Sequence, residues 1–295
     1  MAMSPTSKNL LGARHEKGCS LNPPEACCNL CGHCDFLVQE DSAPPFRVLK
    51  CRHCGLVFVY PFPALDDLAC HYDEIYYRPW LTEQKGKRDR MWRARLDRIE
   101  SRIPSGHLLD VGCGDGSFLQ MAQKKGWKIN GTEFSPHASQ FVAERLRCNI
   151  HCGDLTTAGF SESTFDVVTM WHVLEHVRDP MAYLIEIQRI LKPCGWLILA
   201  VPNVKAFFLQ LAYGLVKGKK MKAFSKNDRE IHLYHFSTDT LRAYLIKAGF
   251  SRMDLVPDTG IVDHRQQVIN GLATLFFRLS GRPYFNAIEA WAVKT

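Results

Sequence analysis

Apolar residues recur along the chain in two alternating rhythms. Short runs read as strands: dense apolar ones at Leu108, Leu109 and Val111 and at Phe165–Trp171, an alternating one at Trp127–Glu133 and a short one at Cys148–Cys152. Between them apolar residues fall at helical spacing, as in Phe118, Met121 and Ala122, in Ala138, Val142 and Leu146, and in Tyr183, Ile187 and Ile190. Strands apolar on both faces and separated by helices predict a parallel sheet covered on both sides. The expected class is α/β, with a Rossmann-like core beginning near Ser105. Gly249-Phe250 and Asn286–Val293 predict two closing antiparallel strands, with a helix over 266–279 between them.

The first core strand runs into Asp110-Val-Gly-Cys-Gly-Asp-Gly-Ser117. A strand, a glycine turn and a helix start form a nucleotide-sized cleft in an open α/β sheet. Ser117 is expected to cap that helix. A dinucleotide fingerprint places its third glycine where Ser117 stands. Asp110 and Asp115 would also repel a pyrophosphate. A cationic nucleoside without phosphate suits the turn better. Glu133 ends the second strand 23 residues after Asp110, the separation at which an acid reaches ribose hydroxyls.

Upstream lie Cys28-Asn-Leu-Cys31-Gly32 and Cys51-Arg-His-Cys54-Gly55. Two such pairs, each followed by glycine, predict a ribbon in which Cys28, Cys31, Cys51 and Cys54 hold a structural Zn2+. Cys34 offers a competing pairing with Cys31. The run Leu56–Tyr60 and the Pro61-Phe-Pro63 stop would close the ribbon. The expected division is a disordered tail over 1–25, the zinc ribbon over 26–63, a helical linker or cover over 64–104, and the catalytic domain over 105–295, with a lid insertion at about 204–236.

The glycine turn resembles motif I of the class I S-adenosylmethionine-dependent methyltransferases. Leu174-Glu-His-Val177 and Leu191–Asn203 resemble the segments around the fourth and fifth strands of the ubiquinone-biosynthesis type. The paired cysteines, with Leu56-Val-Phe58 and Pro61-Phe-Pro63, resemble a zinc module that precedes some bacterial small-molecule methyltransferases. The resemblance implies a seven-stranded sheet with helices on both faces. It implies S-adenosylmethionine held by Asp110, Gly112, Cys113, Gly114, Glu133, Phe134, Asp154, Leu155 and Trp171. Asp154 would bind the adenine amino group and the amide of Leu155 a ring nitrogen. Tyr72, Tyr76 and Tyr77 match a tyrosine-rich helix of such relatives, or serve packing between domains.

The implied reaction is methyl transfer to a hydroxyl or carbon of a small-molecule, lipid-linked or sugar-linked intermediate. A hydroxyl acceptor needs a base, and His172, His232 and His235 are the candidates. His232 and His235 lie in a run resembling the segment that closes over the donor. His176 reads as a packing residue, and the His-x-x-x-His spacing lacks the glutamate position of a zincin. Asn/Asp-Pro-Pro-Tyr is missing after the fourth strand, which argues against an exocyclic-amine DNA methylase.

Composition narrows the partners. Hydrophobic residues make up 46% and charged residues 23%, ordinary for a globular protein. No apolar run reaches membrane-spanning length, and the N-terminus has no signal core, so a cytoplasmic location with reduced thiols is expected. Net charge is +7, and residues 85–102 hold eight Lys/Arg against three acids. Trp92, Leu96, Ile99 and Ile103 would turn inward from that segment and leave its cations solvated. A basic stripe beside a zinc ribbon also suits RNA, which makes an RNA methyltransferase one alternative. A non-catalytic S-adenosylmethionine-binding protein is another. The helix near Phe207–Val216, followed by Lys217, Lys219, Lys220 and Lys222, reads as a substrate lid or as a peripheral membrane contact. Oligomeric state is not legible.

Overall fold

The computed structural model describes residues 26–64, 85–225, 230–258, 260 and 264–295. The tail, the tyrosines at 72, 76 and 77 and the first part of the linker lie outside the described residues.

Two sheets organise the rest. The small one contains β1 (Phe36–Ala43), β2 (Phe46–Cys51) and β3 (Val57–Tyr60), all antiparallel. The chain then enters α1 (Lys85–Glu100). The large sheet begins at β4 (His107–Val111), followed by α2 (Ser117–Lys124), β5 (Lys128–Glu133), α3 (Pro136–Leu146) and β6 (Asn149–Cys152). Next come β7 (Phe165–Trp171), α4 (Pro180–Ile190), β8 (Leu191–Pro202) and α5 (Phe207–Lys217). A two-residue strand β9 (Tyr234–His235), α6 (Thr238–Lys247), β10 (Phe250–Pro257), α7 (His264–Ser280) and β11 (Ala287–Lys294) follow, and of these strands β10 and β11 complete the large sheet.

The large sheet has seven strands in the order β10-β11-β8-β7-β4-β5-β6. Its four pairings from β8 to β6 are parallel, and β10 and β11 close it antiparallel. Leu108, Leu109, Val167, Val168, Leu197 and Leu199 are fully buried, as strands covered on both faces require. Pro136 and Pro180 start α3 and α4, where a missing N–H costs nothing, and Ser135 and Asp179 cap them through their side chains.

One local expectation is corrected. Ser117 does not cap α2. The cap position is Gly116, and the Asp115 carboxylate accepts from the Ser117 N–H (3.0 Å) and hydroxyl (2.8 Å). The segment around His232 and His235 also supplies a strand: β9 pairs antiparallel with β3, so the small sheet takes its fourth strand from a segment that follows β8.

The ribbon is also docked elsewhere. Asn29 donates to Asp179 at the start of α4 and accepts from the Tyr244 hydroxyl, both within 2.9 Å. Lys247 donates to the Leu30 carbonyl, and the Ala223 N–H donates to Glu40.

The basic stripe differs from a solvated face. Leu96, Ile99 and Ile103 are buried as expected, but so are Arg88 and Arg95. Arg88 pairs with Asp115 (3.1 Å), Arg95 with Asp258 (2.8 Å), and Arg98 with Glu289. These carboxylates lie 27 to 191 residues further along the chain, out of reach of any local pattern.

Candidate active site

Strand order reverses at β4, which has β5 on one side and β7 on the other. Chains leaving the carboxyl ends of β4 and β7 therefore part around a crevice, the usual ligand position of such sheets.

One lip is the glycine turn. Gly112 has φ 70°, and a Cβ there would sit 2.5 Å from Val173 Cγ2, so any other residue meets both backbone strain and a clash. The Glu133 carboxylate turns toward this loop, accepting from the Gly114 N–H (2.9 Å) and the Ser135 N–H (2.9 Å). Asp110 is buried and accepts from the Thr169 hydroxyl (2.7 Å). Burial raises its carboxyl to about 7 against the opposing pull of Thr169 and Arg95.

The other predicted donor contacts differ in character. Cys113 is a buried thiol, and Phe134 is exposed. Asp154 caps a short turn through the Thr156 N–H and accepts from the Tyr183 hydroxyl (2.9 Å). Leu155 is buried, so only its backbone could reach a ligand. Trp171 packs among Trp92, Phe118 and Arg95, whose guanidinium lies 4.1 Å over its ring.

The other lip follows β7. His172 takes φ 56° at the strand end, a conformation that non-glycine residues reserve for constrained sites. Its Nε2 lies 3.4 Å from Asp258 and its Nδ1 3.4 Å from Glu175. Burial opposes a charge on this ring, but the two carboxylates outweigh it and raise His172 to about 9. Glu175 is 1% exposed, and neither of its oxygens accepts a hydrogen bond among the described residues. Burial works against its ionisation, yet the surrounding imidazoles keep its carboxyl below the usual value. His176 donates through Nδ1 to the Ile231 carbonyl (2.8 Å), as a packing residue would, and stacks edge-on with His232. Burial lowers His232, and lowers His235 to about 3, so both are neutral at neutral pH. The structure thus gathers His172, His176, His232 and His235 near one buried glutamate.

Sequence reading passes over three members of this site. Glu175 registers only as a residue between two histidines. Arg95 is hidden in a basic stripe, and Asp258 stands 86 residues from His172 with no motif around it.

The cysteines meet in the ribbon. Cys28 and Cys54 Sγ are 3.5 Å apart, as are Cys31 and Cys51, and all four lie within 4.8 Å of one another. A tetrahedron with Zn–S bonds of ~2.3 Å has edges of about 3.8 Å, so the set fits a zinc ion. The two knuckles repeat one turn, with Gly32 and Gly55 both at φ 77°, and His33 stacks on His53. Cys34, the competitor for Cys31, is instead joined to Cys27.

Fold and crevice are those of a class I methyltransferase. A family model described as "Methyltransferase domain" matches residues 85–254, and the chain belongs to that family. It is 35% identical over 124 residues to the ubiquinone biosynthesis O-methyltransferase of Coxiella burnetii, covering 39% of this chain and 48% of that one. A sterol 4-C-methyltransferase of Caenorhabditis elegans is 32% identical over 96 residues, 30% of this chain and 29% of its own. The chain therefore spans about half or less of the length of these relatives. A SAM-dependent methyltransferase of Thermotoga maritima superposes with a TM-score of 0.53 at 21% identity, covering 79% of this chain and all of that one. Phosphoethanolamine N-methyltransferase 2 of Haemonchus contortus, in complex with S-adenosyl-L-methionine, gives 0.55 at 16%, covering 81% and 62%. At those identities the likeness is one of fold.

Proposed function

We propose that this chain transfers a methyl group from S-adenosylmethionine to a hydroxyl or carbon of a small-molecule biosynthetic intermediate. The carrying observation is the pairing of lips: a glycine turn ringed by Asp110 and Glu133 faces a histidine cluster built on Glu175 and Asp258. The sulfonium donor brings its own leaving group, so alignment supplies most of the rate. Glu133 is suited to hold the ribose, and Asp110 and Asp154 the remaining polar groups of the donor.

On the acceptor side His172 is a cation at neutral pH, suited to stabilise an oxyanion rather than to take a proton. His232 is neutral, and Glu175 favours its protonated form, which suits it to accept the acceptor's proton as the new bond to carbon forms. An acceptor hydroxyl would lose its proton to His232 while the methyl–sulfur bond breaks. The relatives acting on ubiquinone precursors and on sterols support a small organic acceptor. The internal ion pairs of Arg88, Arg95 and Arg98 remove three cations from any RNA-binding face. We also propose a structural zinc at Cys28, Cys31, Cys51 and Cys54.

Calorimetric titration with S-adenosylhomocysteine, with metal content measured on the same sample, tests both statements. Micromolar binding and one zinc per chain are expected. No binding would leave the turn an empty scaffold and overturn the reading. Screening of hydroxylated metabolites for methyl uptake then addresses the acceptor.

A further inference from the structure

Two helices start at the crevice edge with apolar faces that nothing among the described residues covers. α5 has no buried residue at all. Phe207, Leu211 and Leu215 recur at i, i+4 and i+8 on one face and are 50%, 48% and 79% exposed, with Val216 beside them at 80%. α7 repeats the pattern: Val268, Leu272, Leu275 and Leu279 fall at i, i+4, i+7 and i+11 and are 55–80% exposed. The two helices pack on each other through Phe208 and Phe276, and Phe207 meets Tyr284 just beyond the end of α7. Apolar stripes on adjoining helices exceed the scattered exposure of an ordinary soluble surface.

Charge supplies the second observation. Residues 204–225 and 264–284 carry five lysines, three arginines and no Asp or Glu. The remaining 29 Lys/Arg meet 30 Asp/Glu elsewhere in the chain, so its whole positive excess lies in these two segments. Among the described residues, Lys217, Lys219, Lys220 and Lys222 make no ion pair.

We propose that α5, α7 and the lysine turn at 217–222 form a docking face for an anionic lipid bilayer. Apolar stripes entering the headgroup boundary, with lysines at their rim, are what interfacial binding requires. A second copy of the chain fits less well, because a two-fold contact sets this acid-free surface against itself. No helix among the described residues is long and apolar enough to cross a membrane, so the face lies on the surface.

The face is wired to the crevice. Asn203, at the end of β8, donates to the Pro283 and Phe285 carbonyls (2.8 Å each). Asn270 of α7 donates to the Asp258 carbonyl (3.0 Å), and Asp258 meets His172. The bilayer would thus lie beside the acceptor lip, which suits a lipophilic acceptor; that last clause rests on the proposed function, while the docking itself does not.

The test is flotation of the full chain with vesicles of phosphatidylcholine alone and with added phosphatidylglycerol. The chain should float with the anionic vesicles, less so as salt rises, and far less with the neutral ones. Leu215→Glu/Leu279→Glu should lower partition about tenfold or more, and Lys219→Glu/Lys220→Glu by a similar factor. All four residues lie outside the crevice, so S-adenosylhomocysteine binding should be unchanged in both variants. That readout separates failure of docking from failure of the proposed function. No flotation of the parent chain, flotation untouched by both variants, or a dimer in light scattering that they dissolve without any vesicle binding would each overturn the proposal.

Discussion

His235 lies opposite Val57 in the antiparallel pairing that joins the catalytic domain to the cysteine ribbon. One residue earlier, the N–H groups of Leu233 (2.8 Å) and Tyr234 (3.1 Å) both donate to the Glu175 carbonyl. The Leu233 carbonyl in turn accepts from the Val59 N–H (2.8 Å). A ribbon strand, the segment bearing two candidate histidines and the glutamate beneath them are thus one hydrogen-bonded stack. Backbone hydrogen bonds therefore tie the level of the histidine segment to the ribbon.

Loss of the metal should therefore reach the chemistry. We predict that Cys54→Ser releases the zinc and lowers methyl transfer at least tenfold, while S-adenosylhomocysteine binding falls less than threefold, because the glycine turn follows β4 of the large sheet and β3 belongs to the small one. Equal loss of both would show that the ribbon supports the whole fold instead.

Gly112 offers a test that separates two costs. Gly112→Ala should weaken donor binding by ten- to a hundredfold, through a left-handed conformation costing about 1–2 kcal/mol and through contact with Val173 at 2.5 Å. Adding Val173→Ala should recover only the contact. Full recovery of affinity in the double variant would mean that backbone strain plays no part.

Donor affinity should depend on pH through Asp110. Its carboxyl is raised to about 7, so a cationic donor must bind the ionised form. Affinity should rise as pH climbs toward 7 and level off above it, with proton release on binding near pH 6.5. Calorimetry in buffers of differing ionisation enthalpy would read that proton. A flat profile from pH 5.5 to 8 would remove Asp110 from the donor contact.

His172 should leave its mark on stability. Its folded value of about 9 lies above the ordinary 6.5, so its contribution is fully present below pH 6.5 and lost as pH rises through 9. Thermal melts from pH 6 to 10 should fall more steeply for the parent chain than for His172→Gln. Parallel curves would place the ring outside the field of Glu175 and Asp258.

The buried pair of Arg95 and Asp258 predicts a large single effect. Arg95→Met strands a carboxylate that is fully buried, and such a break costs about 3–5 kcal/mol. Chemical denaturation measures it. A loss under about 1 kcal/mol would show that water or His172 replaces the guanidinium.

Local chemistry carries much of this protein in plain view. Runs such as Phe165–Trp171 must be strands buried on both faces, Pro136 and Pro180 must start helices, and Gly112 must turn. Hence the sheet, the crevice and the family motif were all legible. Repeated Cys-x-x-Cys-Gly spacing likewise announces four thiols, since each knuckle is a local turn.

What the one-dimensional pattern could not yield is every partner made by distant chain. Arg95 and Arg98 look solvated until Asp258 and Glu289 arrive from the far edge of the sheet. Glu175 is a spacer until four imidazoles surround it, and Tyr234–His235 is a motif of the domain until β3 claims it as a strand. The sequence by itself determined which segments are strands and helices and where the glycine turn lies, because backbone preferences and apolar periodicity act over a few residues. Only the tertiary structure decided which charges are paired, which histidines are neutral and which apolar faces stay bare, because burial and electrostatic field depend on what packs nearby.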